Sequence, residues 1–135
     1  MILSGWLQRR RPLLRWGACV GVAGLLALGN VHAREQAPLS APVQLSELPV
    51  QAQDVDRAIR SGGPFAYPKD GIVFGNRERI LPPERRGFYR EYTVVTPGVR
   101  DRGARRIVCG GKERSAPVAC YYSNDHYASF HRITP

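Results

Sequence analysis

The chain has 135 residues with 20 Lys+Arg against 11 Asp+Glu, a formal net charge of +9, so it holds one domain and favours an anionic partner. Its three cysteines, without paired His or Cys beside them, exclude a zinc site and a disulfide-rich scaffold.

Residues 1–33 read as an export signal cleaved after Ala33. Arg9, Arg10, Arg11 and Arg15 form its basic start, "WGACVGVAGLLALG" its apolar middle and "VHA" its small-residue end. The apolar run of 14 residues is shorter than the roughly 20 that cross a bilayer, which argues against an anchor. Cys19 does not end that run, so it is no lipid-attachment site. Without this segment the chain carries 16 basic and 11 acidic residues, a net charge of +5, and is expected outside the cell or in a periplasm.

"REQAPLSAPV" (34–43) is rich in Pro and Ala and aperiodic, and is expected to be a flexible lead-in to a domain spanning 44–135. "LPVQAQDVDRAIRSGG" predicts a helix with Val50, Val55, Ala58 and Ile59 as its apolar stripe, stopped by Gly62-Gly63 and Pro64. Residues 67–87 are rich in turns, with the short apolar run Ile72-Val73-Phe74 between Asp70-Gly71 and Pro82-Pro83. Runs of β-formers follow at 88–96, 105–109, 118–122 and 127–133, separated by turns at Pro97-Gly98, Gly110-Gly111 and Ser123-Asn124-Asp125.

One early helix followed by consecutive antiparallel strands makes an α+β domain, the N-terminal helix packed on one face of the sheet. Its core is expected to draw on Val55, Ile59, Phe65, Tyr92, Val94, Ile107, Tyr122 and Phe130. Cys109 and Cys120 flank the loop "GGKERSAPVA" and are expected to form a stabilising disulfide, which in an oxidising compartment is worth about 2–3 kcal/mol.

The stretch "EYTVVTPGVRDRGARR" (91–106) carries the strongest chemical signal. Side chains alternate along a strand, so Glu91, Thr93 and Val95 share one face. A hairpin closing near Gly98-Val99 sets Glu91 opposite Arg106, with Cβ atoms about 5 Å apart. A cross-strand ion pair uses one cation, yet Arg102 and Arg105 stand beside it, and arginine suits bidentate phosphate recognition. His126 follows the Ser-Asn-Asp turn at the expected start of the last strand, where an imidazole, which titrates near neutral pH, can act as a proton donor. Base, acid and phosphate clamp fit cleavage of a phosphodiester without a metal. His131, in mid-strand, reads as structural, and Arg100 and Arg105 as general attraction for an RNA backbone or a solvated face.

Three separated stretches, "SGGPFAYPKDGIVFGNRERILP", "GFYREYTVVTPGVRDRGARRIVCG" and "DHYASFH", closely resemble the small secreted guanyl-specific ribonucleases of the microbial, barnase-like family, from about Val43 to the C-terminus. The resemblance implies metal-independent cleavage of single-stranded RNA 3′ to guanosine through a 2′,3′-cyclic phosphate, with no cofactor. Glu91 matches the family's general base, His126 its general acid, and Arg102 and Arg106 the arginines that stabilise charge on phosphorus. "FGNRE" (74–78) matches the guanine-binding loop: the Glu78 carboxylate accepts from guanine N1–H and N2–H₂, and backbone N–H groups around Asn76 and Arg77 donate to O6. Phe74 and Tyr127 are expected to offer ring faces to the base or to wall the pocket. Some relatives carry a longer polar side chain at the position of Gly75. Some also join the first strand to the C-terminus by a disulfide, where this chain has Gln44 and a tail without cysteine.

The resemblance further implies binding of RNA and a small acidic, barstar-like inhibitor protein in the producer; a monomer is the default expectation. Two other readings compete with a secreted nuclease: a basic RNA- or polyanion-binding module that has lost catalysis, and the same ribonuclease deployed as an antibacterial toxin.

Overall fold

In the computed structural model the described residues are 38–135; the expected export signal (1–33) and the first part of the lead-in lie outside them. The chain begins there with a strand. Strand β1 (Ser40–Gln44) occupies the last residues of the expected lead-in and pairs in parallel with the last strand, β6 (His131–Thr134), at the sheet edge. A Pro/Ala-rich segment hides such a strand because its partner is some 90 residues away in sequence, and an edge strand tolerates Pro42. His131 joins the two strands, its Nδ1 lying 2.8 Å from the Ala41 carbonyl, which agrees with a structural histidine.

Helix α1 (Val50–Ser61) follows a short 3₁₀ turn at Leu45–Glu47. Its buried line is Ala52, Asp56 and Ile59, one helical face, whereas Val50, expected in the stripe, is 58 % exposed on the first turn. Asp56 is tolerated in that line because Arg60, one turn on, donates to both carboxylate oxygens at 2.9 and 3.3 Å. Gly62 ends the helix at φ +80°, a left-handed conformation that glycine takes without steric cost.

The remaining strands are β2 (Ile72–Val73), β3 (Tyr89–Thr93), β4 (Arg106–Gly110) and β5 (Ala119–Ser123), and the sheet order is β1-β6-β5-β4-β3-β2. All pairings except β1 with β6 are antiparallel, so the fold is α+β as expected. Two expectations of length shift. The run 88–96 forms a strand only to Thr93, and the run 127–133 becomes a turn followed by β6.

Period-two alternation sorts the central strands into two faces. Tyr92, Ile107, Cys109, Cys120 and Tyr122 meet Leu48, Ala52 and Ile59 under the helix. Tyr89, Val108 and Tyr121 meet Leu81 and Phe130 on the other side, with Phe74, Ile80 and Tyr127 packed against them. Of the expected core, Phe65 is the exception: it is 37 % exposed in the loop after the helix and covers Tyr92 from outside, their ring centroids 5.1 Å apart. Gly110 makes room for that second core, since a Cβ there would lie 2.4 Å from the Phe88 ring.

Cys109 and Cys120 are direct cross-strand partners and form the expected disulfide inside the core under the helix. The bridge spans 11 residues, and its removal in a Cys109→Ala/Cys120→Ala variant is expected to lower the unfolding free energy by about 2–3 kcal/mol. Urea unfolding of both proteins measures this; equal stabilities would show that β4 and β5 need no cross-link.

Candidate active site

The face of the sheet away from the helix carries two adjacent cross-strand rows. Thr93, Arg106 and Ser123 stand opposite one another on β3, β4 and β5; Glu91, Val108 and Tyr121 form the next row. Glu91 therefore does not face Arg106, as the hairpin expectation had it, but Val108. The loop from Val94 to Arg105 is centred one residue further along than a turn at Gly98-Val99 implies, which moves each cross-strand partner by two. A slip of two preserves the face, so Glu91 and Arg106 remain diagonal neighbours on the same side.

Arg102 reaches back from that loop. Its Nε donates to Thr93 Oγ1 at 2.6 Å and its Nη2 to Glu91 Oε1 at 3.1 Å, while Asp70 Oδ1 lies 4.0 Å from the same nitrogen. Asp70 is buried, accepting from the Thr93 backbone N–H at 2.7 Å and the Tyr67 N–H at 3.2 Å. It thus fixes the end of β3 and places a second carboxylate behind Arg102. In the sequence Asp70 is merely the first residue of an Asp-Gly turn.

Arg106 is only 2 % exposed, yet no carboxylate lies within ion-pair distance among the described residues. Its Nη1 donates to the carbonyls of Gly103 (2.9 Å) and Arg105 (2.8 Å), with that of Arg102 at 3.5 Å, and its Nε to the Tyr127 hydroxyl at 3.1 Å. Dipoles satisfy Nε and Nη1, Nη2 makes no bond among the described residues, and the net positive charge remains. The site is thus electrostatically prepared for an anion.

His126 and Tyr127 are not on the last strand. They lie in the turn before it, in consecutive left-handed conformations at φ +57° and +70°. Two successive non-glycine residues there persist only if the surroundings hold them. Asp125 does so, accepting from Ser123 Oγ (2.9 Å), the Ser129 N–H (2.9 Å) and Ser129 Oγ (2.5 Å). Ser123 Oγ in turn accepts from the Tyr127 N–H at 3.0 Å, and the His126 N–H donates to the Ala104 carbonyl at 3.1 Å. The turn bearing the imidazole is thereby tied to the loop bearing the arginines. Partial burial of Asp125 opposes ionisation, but these hydrogen bonds outweigh it and hold its carboxyl below the ordinary aspartate value of 3.8.

Tyr127 links the groups. Burial first, then the negative charge of Glu91 and a hydrogen bond to its carboxylate, raise the phenol above its ordinary value, so it stays a neutral donor. Its ring stacks on Phe74 at 5.2 Å, and Phe74 in turn meets the edge of Phe130.

Glu91, His126, Tyr127, Phe74, Asn76, Arg77 and Glu78 line one open cleft of about 970 Å3. Arg102 and Arg106 are not among the residues that line it. Asn76, at φ +45°, closes the 74–81 loop on itself: its Nδ2 donates to the Leu81 carbonyl at 2.9 Å and its Oδ1 accepts from the Leu81 N–H at 3.1 Å. The side chain is spent on the loop, which leaves the backbone to face a ligand. Among the described residues no group of three or more His, Cys, Asp or Glu side chains is placed to hold a metal ion. Sequence reasoning missed the supporting roles of Asp70, Thr93, Gly103, Ser123 and Asp125; it showed only that Thr93 shares the face of Glu91 and that Asp70, Ser123 and Asp125 stand in turns.

Residues 32–134 match the family model described as ribonuclease. The chain is 50 % identical over 95 residues to guanyl-specific ribonuclease Sa of Kitasatospora aureofaciens, covering 70 % of this chain and 95 % of that one. It is 52 % identical over 93 residues to guanyl-specific ribonuclease St of Saccharopolyspora erythraea, covering 68 % and 85 %. Among solved structures, ribonuclease Sa2 with guanosine-2′-cyclophosphate superposes with a TM-score of 0.64 at 48 % identity, covering 72 % of this chain and 97 % of that one.

Two substitutions test the scaffold of the cleft. Gly103 has φ +62°, and a Cβ there would lie 2.7 Å from the buried Thr96 Oγ1, so Gly103→Ala is expected to destabilise by about 1–3 kcal/mol in thermal or urea unfolding. An undiminished stability would mean that the loop relaxes freely. Asp125 has its folded value depressed, so its stabilisation is present above 3.8 and fades as pH falls through the folded value. The stability gap between the native chain and Asp125→Asn should therefore be largest near neutrality and shrink below about pH 3.8; a gap constant to pH 2 would remove the carboxylate from this role.

Proposed function

The chain belongs to the ribonuclease family, and from that premise we propose how its cleft works. The protein is a guanyl-specific endoribonuclease that cleaves single-stranded RNA 3′ to guanosine through a 2′,3′-cyclic phosphate. Glu91 takes the proton from the ribose 2′-OH as that oxygen attacks phosphorus. His126 gives a proton to the departing 5′-oxygen as its bond to phosphorus breaks. In the second step water attacks the cyclic ester, His126 accepts its proton, the P–O2′ bond opens and Glu91 returns a proton to the 2′-oxygen. DNA lacks the 2′-OH and cannot enter this sequence.

Arg102 and Arg106 stabilise the charge that grows on the equatorial phosphate oxygens, the role a metal plays elsewhere, and the reaction needs no cofactor. Tyr127 donates toward the same region and keeps Glu91 oriented. Guanine lies on the 74–78 loop against the stacked rings of Phe74 and Tyr127, its N1–H and N2–H₂ donating to Glu78 and its O6 accepting from the backbone near Asn76 and Arg77. Adenine reverses donor and acceptor at that edge and leaves buried groups unpaired. The carrying observation is that Glu91, His126 and the 74–78 loop line one cleft. A binding module that had lost catalysis has no use for the first two.

Residues 1–33 serve as the export signal and the ribonuclease domain, which includes β1, runs from Ser40 to the C-terminus; the disulfide, which persists in oxidising compartments, supports export. The enzyme acts as a monomer. A small acidic inhibitor covers the basic cleft inside the producer, where charge complementarity speeds association. A pull-down from producer lysate that recovers no cleft-blocking protein would remove that partner.

The purified protein, in EDTA, is expected to release guanosine 2′,3′-cyclic phosphate from GpC while leaving ApC nearly untouched. Equal cleavage of both dinucleotides would keep the nuclease and discard the role of Glu78. Glu91→Gln should lower kcat on GpC about 10²- to 10⁴-fold with little change in KM. A turnover equal to that of the native chain would refute Glu91 as the base.

A further inference from the structure

The cleft does not end at the guanine loop. It continues to Glu84, Arg85, Arg86 and Gly87, a turn to which the mechanism above gives no task. This turn is firmly placed. The Phe88 N–H donates to the Arg85 carbonyl at 3.1 Å, Gly87 adopts φ +88°, and the Tyr89 hydroxyl donates to the Pro82 carbonyl at 2.8 Å. Asn76 Nδ2 lies 3.5 Å from that same carbonyl, so the guanine loop and the turn share one anchor.

Both arginines are exposed, and among the described residues neither has a carboxylate within ion-pair distance. Glu84, their neighbour, forms an ion pair with neither. Glu78, the other carboxylate on this side, is engaged by guanine in the proposed reading. Two guanidinium groups thus remain unneutralised at the guanine end of the cleft. At about 970 Å3 the cleft sits at the upper end of ordinary ligand sites and has room beyond one nucleoside.

Resting on that reading of the guanine loop, we propose that Arg85 and Arg86 form a second phosphate subsite, which binds the phosphate on the 5′ side of the recognised guanosine. The leaving nucleotide departs past His126, on the turn before β6. The arginine pair instead adjoins the loop that holds the base, so the strand reaches it from the guanosine's 5′ oxygen. Planar guanidinium groups can each take two phosphate oxygens. The subsite makes the enzyme favour an internal guanosine over a 5′-terminal one.

Three substrates that differ only in phosphate test this: GpC, pGpC and GpCp, at low salt, with the native chain and with Arg85→Gln/Arg86→Gln. The native chain is expected to cleave pGpC with a kcat/KM about fivefold above that of GpC, as befits two exposed charge pairs, and GpCp without advantage. In the double variant the pGpC advantage disappears, GpC cleavage stays within about twofold, and thermal unfolding is unchanged. A native chain that treats pGpC like GpC overturns the subsite, as does an advantage that survives in the variant. An advantage of GpCp, lost in the variant, overturns the 5′ assignment. If folded protein cleaves none of the three, the ribonuclease reading fails instead. Equilibrium binding of 5′-GMP against guanosine then decides the arginine pair without turnover, tighter binding of 5′-GMP by the native chain alone supporting it and equal preference in both proteins overturning it.

Discussion

Burial of the Arg106 guanidinium is the constraint to which the rest of the site answers. An unpaired buried cation costs several kcal/mol, and the cost falls as its donors meet acceptors. The 102–105 segment curls back to offer its carbonyls, which requires the left-handed Gly103. Tyr127 supplies the acceptor for Nε, which requires the strained turn that also presents His126. Asp125 and Ser123 hold that turn, and Ser123 stands directly across the sheet from Arg106. The acid, the arginines and the sheet are therefore one connected polar structure. A cation held by dipoles at Nε and Nη1, with Nη2 unbonded and no counter-ion among the described residues, is stable in the folded chain and still attractive to a phosphate.

The two faces of the sheet divide the labour. Under the helix, the disulfide and the apolar cluster around Ile59, Tyr92 and Ile107 supply stability. On the other face a smaller aromatic core around Tyr89, Val108 and Phe130 supports the recognition loop, and the polar rows stand beside it. Glu91 belongs to this second face and is nearly buried, with Arg102 on one side and Tyr127 on the other. Such a carboxylate has few orientations open to it, which suits a base that must meet one hydroxyl. The phenol that steadies it also stacks on Phe74, so base recognition and chemistry share a residue.

Strand alternation made the shared face of Glu91 and Thr93 readable before any coordinates, because that period is a property of the backbone. The hairpin partner was not readable. The 94–105 loop is shaped by the Arg102 and Arg106 contacts rather than by its Pro-Gly turn, and the register moved by two. Strand β1 escaped for a similar reason, since its composition is that of a linker and its pairing is set by β6. Phe65, expected in the core, lies instead at the surface over Tyr92, in the loop that follows the helix.

The sequence by itself determined the helix and its glycine stop, the five-residue strands that carry the core, the cysteine pair, and the residue types of base, acid and phosphate clamp; the likeness of three motifs to a ribonuclease family supplied their roles. Each rests on local chemistry: periodicity, turn residues and side-chain functional groups. Tertiary structure alone decided that His126 sits on a left-handed turn, that Arg106 is buried without a counter-ion, and that Asp70 and Asp125 act as hidden supports. These features depend on hydrogen bonds between segments far apart in the chain, such as Asp70 to Thr93 and His126 to Ala104. No local pattern encodes such a contact, because the partner's position is known only once the sheet has formed.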